Sequence, residues 1–294
     1  MHARIALVFA VVLLETFPQA QGPAPAQVNV RGGPAQPGSV LEITVRAGEG
    51  LSDPKGTAFR RPLVFLPGHE PRTWRTLVGI DVATPPGPGS FRIHLATPTG
   101  RELTNTGTID VVSRAFVTRR LTVANQFVDP SPAELERIRS EAARLETIFG
   151  TVTAADRLDS FVPPLPGVPG SNFGTRSIFN GEPRAPHAGT DFRGPTGTPI
   201  PAPAAGRVVL AEDLFFTGQT VVIDHGAGVY SLLAHLSRID VTPGQAVARG
   251  VVVGLLGATG RVTGPHLHWT VRLNGARVDP LRLVALLAPA QSGK

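Results

Sequence analysis

Thr263-Gly264-Pro265-His266-Leu267-His268-Trp269 opens a strand-like run that continues to Leu273. In an extended strand, residues i and i+2 share a face, with Cα atoms about 6.6 Å apart. His266 and His268 therefore present two imidazoles to one side, while Leu267 packs on the other. Similar β-rich segments precede it at Arg207 to Leu210, Thr220 to Ile223, Val229 to Leu233 and Val251 to Leu256, mostly with glycine close by. The C-terminal part of the chain is thus expected to be a β-sheet carrying paired histidines.

The β signature extends to the other end of the chain. Leu41, Ile43 and Val45 alternate with polar residues, as do Phe91, Ile93 and Leu95. Leu63 to Leu66 is a continuous apolar run, and Pro85-Pro86-Gly87-Pro88-Gly89 marks a turn. Short strands with turns between them, ending near Val112, predict a small β-sandwich. Between the two β-rich parts, Ser131-Pro132-Ala133-Glu134 supplies an N-cap, proline at N1 and glutamate at N3. Leu135, Ile138, Ala142, Leu145 and Phe149 follow at helical spacing, and Gly150 is expected to close the helix. This helix is expected to pack between two domains, and residues 163–170, rich in Pro and Gly, to form a stiff connector. The predicted organisation is a signal peptide over 1–21, a β-rich domain over 22–116, a helical linker over 117–170 and a second β domain over 171–294.

A chain of 294 residues, 41% apolar and 17% charged, can bury two cores and is globular rather than disordered. Arg4 followed by the uncharged run Ile5 to Leu14 and then Phe17-Pro18-Gln19-Ala20 reads as a secretory signal peptide. That run is too short to span a bilayer stably, so no membrane span is expected after cleavage. Cys is absent, which excludes disulfides, thiolate metal sites and cysteine nucleophiles. The net charge of +6 is almost all arginine, Lys55 and Lys294 being the lysines, and shows no interleaved aromatics that would suit nucleic acid. There is no Gly-x-Ser-x-Gly elbow and no Gly-x-x-x-x-Gly-Lys phosphate loop.

Of eight histidines, five (His187, His225, His235, His266 and His268) fall in the last 108 residues, which makes that region the place to look for chemistry. His187-Ala188-Gly189-Thr190-Asp191 has the form His-x-x-x-Asp. Fully extended, its ends would lie about 13 Å apart, too far to share a metal with bonds of about 2 Å. Gly189 is expected to permit the bend that closes this gap. Each element alone is common: His-x-x-x-Asp usually means nothing, and His-x-His on a strand is more often a surface pair. Both together, with His235 in Leu233-Ala234-His235-Leu236, favour a site of two histidines and one carboxylate, the ligand pattern of an open zinc centre. His225 is expected to serve a turn. His94 falls on a polar strand face, and His69-Glu70-Pro71-Arg72-Thr73 fails as a zincin helix because of Pro71 and Thr73.

From Phe173-Gly174 to Pro280 the chain resembles the lysostaphin-type, or LytM-domain, zinc metallopeptidases of bacterial cell walls. The resemblance rests on Arg184-Ala185-Pro186-His187-Ala188-Gly189-Thr190-Asp191-Phe192, Gly206-Arg207-Val208-Val209, Ile223-Asp224-His225-Gly226, Leu233-Ala234-His235-Leu236, Gly257-Ala258-Thr259-Gly260 and the opening heptapeptide. It implies one zinc held by His187, Asp191 and His268, with His235 and His266 beside the metal as general acid, base and oxyanion stabilisers. It further implies attack of a zinc-activated water on peptide bonds in peptidoglycan stems or crosslinks, in the periplasm, at the envelope or after secretion. The N-terminal part, around Trp74 to Asp81 and the helix at Ser131, resembles the β-rich domain that precedes this peptidase in some exported members. A catalytically silent scaffold that binds wall or activates another hydrolase is the competing class, opposed by the intact five-residue set. A biotinyl or lipoyl carrier hairpin around Val241 to Gly257 is excluded, since no lysine lies between Lys55 and Lys294.

Overall fold

The computed structural model describes residues 26–122, 129–166 and 173–288, so the signal-peptide reading and residues 167–170 of the connector lie outside the described residues. The chain is mainly β. It begins with β1 (Gln27–Arg31), β2 (Val40–Arg46), β3 (Lys55–Ala58), β4 (Arg61–Pro62), β5 (Leu66–Pro67), β6 (Thr73–Gly79), β7 (Gly87–Ala96) and β8 (Glu102–Val111). These form two four-stranded antiparallel sheets, ordered β1-β2-β6-β5 and β4-β3-β7-β8. The alternation read from the sequence is what fills the space between them: Leu41, Ile43 and Val45 from one sheet meet Phe91, Ile93 and Leu95 from the other.

Three short strands and a helix follow before the large sheet. β9 (Thr118–Leu121) pairs in parallel with β10 (Arg176–Phe179), which also pairs with β11 (Glu182–Pro183). The stretch expected to be a helical linker thus carries a strand as well as α1 (Pro132–Gly150). The α1 capping box is present: the Glu134 N–H donates to the Ser131 hydroxyl, and the Ser131 N–H donates to the Glu134 carboxylate at 2.8 Å. Gly150 is the last helical residue and not a left-handed cap. Thr151 turns extended instead, its N–H returning to the Ile148 carbonyl.

The large sheet comprises β12 (Gly189–Arg193), β13 (Pro199–Pro201), β14 (Gly206–Leu214), β15 (Gly218–Asp224), β16 (Val229–Ile239), β17 (Ala246–Val247), β18 (Val252–Leu256), β19 (His266–Leu273) and β20 (Ala276–Val278), with α2 (Pro280–Leu287) at its end. Its main order is β12-β19-β16-β15-β14-β17, all antiparallel. Side chains divide by period two. Val221, Ile223, Leu233, Leu267, Trp269 and Val271 enter the main core on one face. Leu210, Val222, Tyr230, Leu232 and Ala234 lie on the other, where Leu145, Ile148 and Phe149 of α1 cover them. Arg144 pairs with Glu212, and the buried Glu141 accepts the Phe215 N–H at 2.8 Å. The helix, lying between the two β-rich parts of the chain as expected, docks its apolar side on the large sheet.

The sandwich is anchored to the β20 and α2 end. Asp81 takes a bidentate bond from the Arg277 guanidinium, at 2.6 and 3.0 Å, and also accepts the Arg277 N–H. Burial alone would raise the Asp81 carboxyl, but these Arg277 bonds hold it below its ordinary value. Arg114 pairs with Asp279, which caps α2, while Val40 and Leu77 reach into the main core.

His225 serves the structure, as expected. Its Nδ1 lies 2.7 Å from the Ala205 carbonyl and its Nε2 2.9 Å from Ser231 Oγ, which also accepts Trp269 Nε1–H. A carbonyl only accepts, so the proton sits on Nδ1, and the Ser231 hydroxyl donates to Nε2. Burial pushes this imidazole down to about 4 from 6.5. Because the folded value lies below the unfolded one, its contribution to stability is complete above about 6.5 and is lost as the pH falls toward about 4. The His225→Gln protein should be less stable at neutral pH and show a shallower loss across this window. Denaturant midpoints measured from pH 7 to 4 check this, and parallel slopes would refute it.

Candidate metal centre

Antiparallel register builds the centre. β12 pairs with β19 so that Asp191 stands directly opposite His268, with His266 opposite Arg193 two residues away. His187 lies just before β12, held by its own N–H on the Thr175 carbonyl and by its carbonyl on the Gly174 N–H. This brings His187 Nε2 to 3.1 Å and His268 Nδ1 to 3.0 Å from Asp191 Oδ1. The ligand atoms of His187, Asp191 and His268 all lie within 4.8 Å of one another, a group able to hold a metal ion.

The bend between His187 and Asp191 arises differently from expectation. Gly189 does not adopt a left-handed φ. What the position requires is the missing Cβ, since a methyl there would stand 2.6 Å from His268 Cε1 and 2.6 Å from the Trp269 carbonyl oxygen. Glycine makes room for the His268 imidazole.

His235 reaches the site through a local irregularity in β16. That strand pairs with β19 up to Ala234 and with β18 from Leu236 onward, and its register with β15 shifts at the same place. His235 sits at the fork with φ +64, the left-handed region that few non-glycine residues occupy. Its ring centroid comes to 4.8 Å from that of His266 and 5.8 Å from that of His268. Backbone strain of this kind is commonest at functional positions.

Hydrogen bonds fix the protons on these rings. His235 Nδ1 faces the Thr259 carbonyl at 2.9 Å, and His266 Nδ1 faces the Gly264 carbonyl at 2.8 Å. Both carbonyls can only accept, so each Nδ1 carries hydrogen and each Nε2 is the nitrogen left for chemistry. Burial, then the neighbouring His268 and His266, push His235 down to about 3 and keep it neutral. Burial likewise lowers His268. Burial alone would raise the Asp191 carboxyl, but the bonds from His187 and His268 overcome it and hold it far below the usual carboxylate range.

The donor set fits a divalent metal. A permanently ionised carboxylate lies against two imidazole nitrogens, and the remaining nitrogen of His268 is 2.8 Å from the Thr270 hydroxyl, which orients the ring. Thr270 was not singled out from the sequence, although it extends the His266, His268 alternation by one step. His187 Nδ1 is buried with no partner among the described residues.

Fold and site together define a β-sheet protein built around a His-Asp-His metal-binding group with two further histidines beside it. The family model "Peptidase family M23" matches residues 185–280, which hold all five of these residues. A solved structure from Pseudomonas aeruginosa described as a peptidase M23 is 37% identical, with the match covering 85% of this chain and 94% of that one at TM-score 0.65. The chain belongs to peptidase family M23. It is also 44% identical over 113 residues to the peptidoglycan DD-endopeptidase ShyA of Vibrio cholerae, 38% of this chain and 26% of that protein. The DD-carboxypeptidase/endopeptidase Mpg of Neisseria meningitidis is 44% identical over 103 residues, 35% of this chain and 24% of that protein. The matched part spans about a quarter of the length of these curated relatives.

The geometry makes two supporting positions testable without touching a ligand. Gly189→Ala should displace the His268 ring, and Thr270→Val should release its Nε2, each lowering zinc affinity by about 10- to 100-fold with the fold retained. Competition titration against a chromogenic chelator, alongside circular dichroism, measures both. Unchanged affinity in both variants would refute the assignment.

Proposed function

We propose that this chain is an exported, zinc-dependent endopeptidase that hydrolyses peptide bonds in peptidoglycan stems or crosslinks. The observation that carries the reading is the juxtaposition of a His-Asp-His group, its carboxylate ionised, with two further imidazoles whose Nδ1 atoms are tied to backbone carbonyls and whose Nε2 atoms are left for chemistry. In this reading His187, Asp191 and His268 hold the ion. When bound, zinc supplies Lewis acidity that polarises a carbonyl and acidifies water.

The remaining steps belong to the chain's own side chains. One of His235 and His266 takes a proton at Nε2 from the attacking water, and that proton passes to the departing amine. Their Nδ1 protons stay on the Thr259 and Gly264 carbonyls throughout, which holds both rings in one orientation. Once protonated, an Nε2–H is also a donor for the oxyanion of the tetrahedral intermediate. Membership of family M23 supports the peptidase reading, and the names of the curated relatives favour the D-alanyl to diamino-acid crosslink as the bond cut.

Export is read from Met1 to Gln21. Among the described residues no helix is long and apolar enough to cross a membrane. The division into a β-rich domain over 22–116, a linker over 117–170 and a peptidase domain over 171–294 is part of the same proposal, supported by the separate cores of the sandwich and the large sheet.

Incubation of the zinc-loaded protein with purified peptidoglycan should release uncrosslinked peptides, identified by mass spectrometry, and a chelator should stop the release. His235→Ala and His266→Ala should each retain zinc and lose turnover by about 10²- to 10⁴-fold. A folded, zinc-loaded protein that releases nothing would return the reading to the silent scaffold.

A further inference from the structure

Arg261 lies on the loop that also carries Thr259, whose carbonyl holds His235. Its guanidinium carbon stands 4.4 Å from the centroid of the Phe216 ring and 4.9 Å from that of Phe179. The Arg261 N–H donates to the Phe216 carbonyl at 2.9 Å, and the next residue, Thr217, accepts the His235 N–H at 2.9 Å. Phe179 ends β10, the strand leading to His187. The side chain is therefore set between β10, which precedes His187, and the segment whose backbone holds His235.

Its surroundings are unusual for an arginine. Many arginines of this chain sit on carboxylates: Arg75 on Glu42, Arg144 on Glu212, Arg238 on Asp240, Arg277 on Asp81. Arg261 forms no ion pair among the described residues, and burial, then the cation Arg184, lower its pKa. Two rings supply cation–π attraction, but they leave the in-plane N–H donors of the fork without a charged acceptor. A half-buried guanidinium packed on two rings, with a second cation bearing on it, suits an anion of planar, two-oxygen geometry.

We propose that Arg261 is a specificity-determining residue that receives a carboxylate of the substrate peptide near the scissile bond, so that the favoured substrate is an anionic crosslink rather than an uncharged bridge. This rests on the peptidase reading above, and it assigns to that site a charge preference carried by one side chain. The residue takes no part in proton transfer.

The test compares two synthetic crosslinked stem-peptide dimers that differ only at the diamino acid, one with its free carboxylate and one with the matching carboxamide. The zinc-loaded protein should favour the carboxylate by about 10- to 100-fold in kcat/KM, mainly through KM. Arg261→Gln should abolish that preference, losing activity on the carboxylate and little on the carboxamide, and Arg261→Lys should restore part of it. An equal loss on both substrates would mean that Arg261 only braces the cleft, and no preference in the parent protein would equally overturn the proposal. If neither dimer is cut, the peptidase reading fails separately, and calorimetric binding of the two dimers to the zinc-loaded protein decides the subsite. Tighter binding of the carboxylate that Arg261→Gln removes would sustain it, and equal binding would end it.

Discussion

The pairing of β12 on β19 is the constraint on which the centre depends. Asp191 and His268 face one another because the register puts them there, and a slip of one residue would turn every side chain of β12 to the other face. Both strands are pinned against such a slip. Leu267, Trp269 and Val271 are fully buried on the core side, as is Phe192 of β12, so a slip would expose large apolar surfaces and bury the charge of Asp191. Hydrophobic burial thereby sets the position of a polar site.

The same sheet serves two purposes on its other face. Around Tyr230 and Leu232, α1 covers it, and Phe149 meets both the Tyr230 ring and the Arg272 guanidinium. Further along, at Ala234 and His268, the face carries the histidines. One half is packed core and the other presents chemistry. The transition falls where β16 exchanges β19 for β18 as its neighbour, and there His235 takes its left-handed backbone. A regular strand would place successive residues on alternate faces, so the irregularity is what adds His235 to a group already formed by β12 and β19.

The sandwich stands apart from this chemistry. It grips β20 and α2 through Asp81, Arg277, Arg114 and Asp279, and its Val40 and Leu77 join the main core. Closer to the centre lies the short β9, paired with β10 before His187.

The alternations at Leu41, Phe91 and Leu267, the capping box at Ser131 and the His-x-His and His-x-x-x-Asp spacings were all legible, because each is a local pattern whose period or geometry the backbone enforces. The sequence by itself therefore determined the mainly β class, the helix start and the residues that gather at the centre. It misjudged Gly189 because the demand on that residue comes from the His268 ring, 79 positions away in the chain. It missed Thr270 and the packing of Arg261 on two rings, and it did not show how His235 turns. Only the tertiary structure decided these, together with the docking of α1 on the large sheet. Each depends on which distant segments meet: close approach, the change of strand partner and the placing of an uncompensated charge between two rings are properties of that meeting.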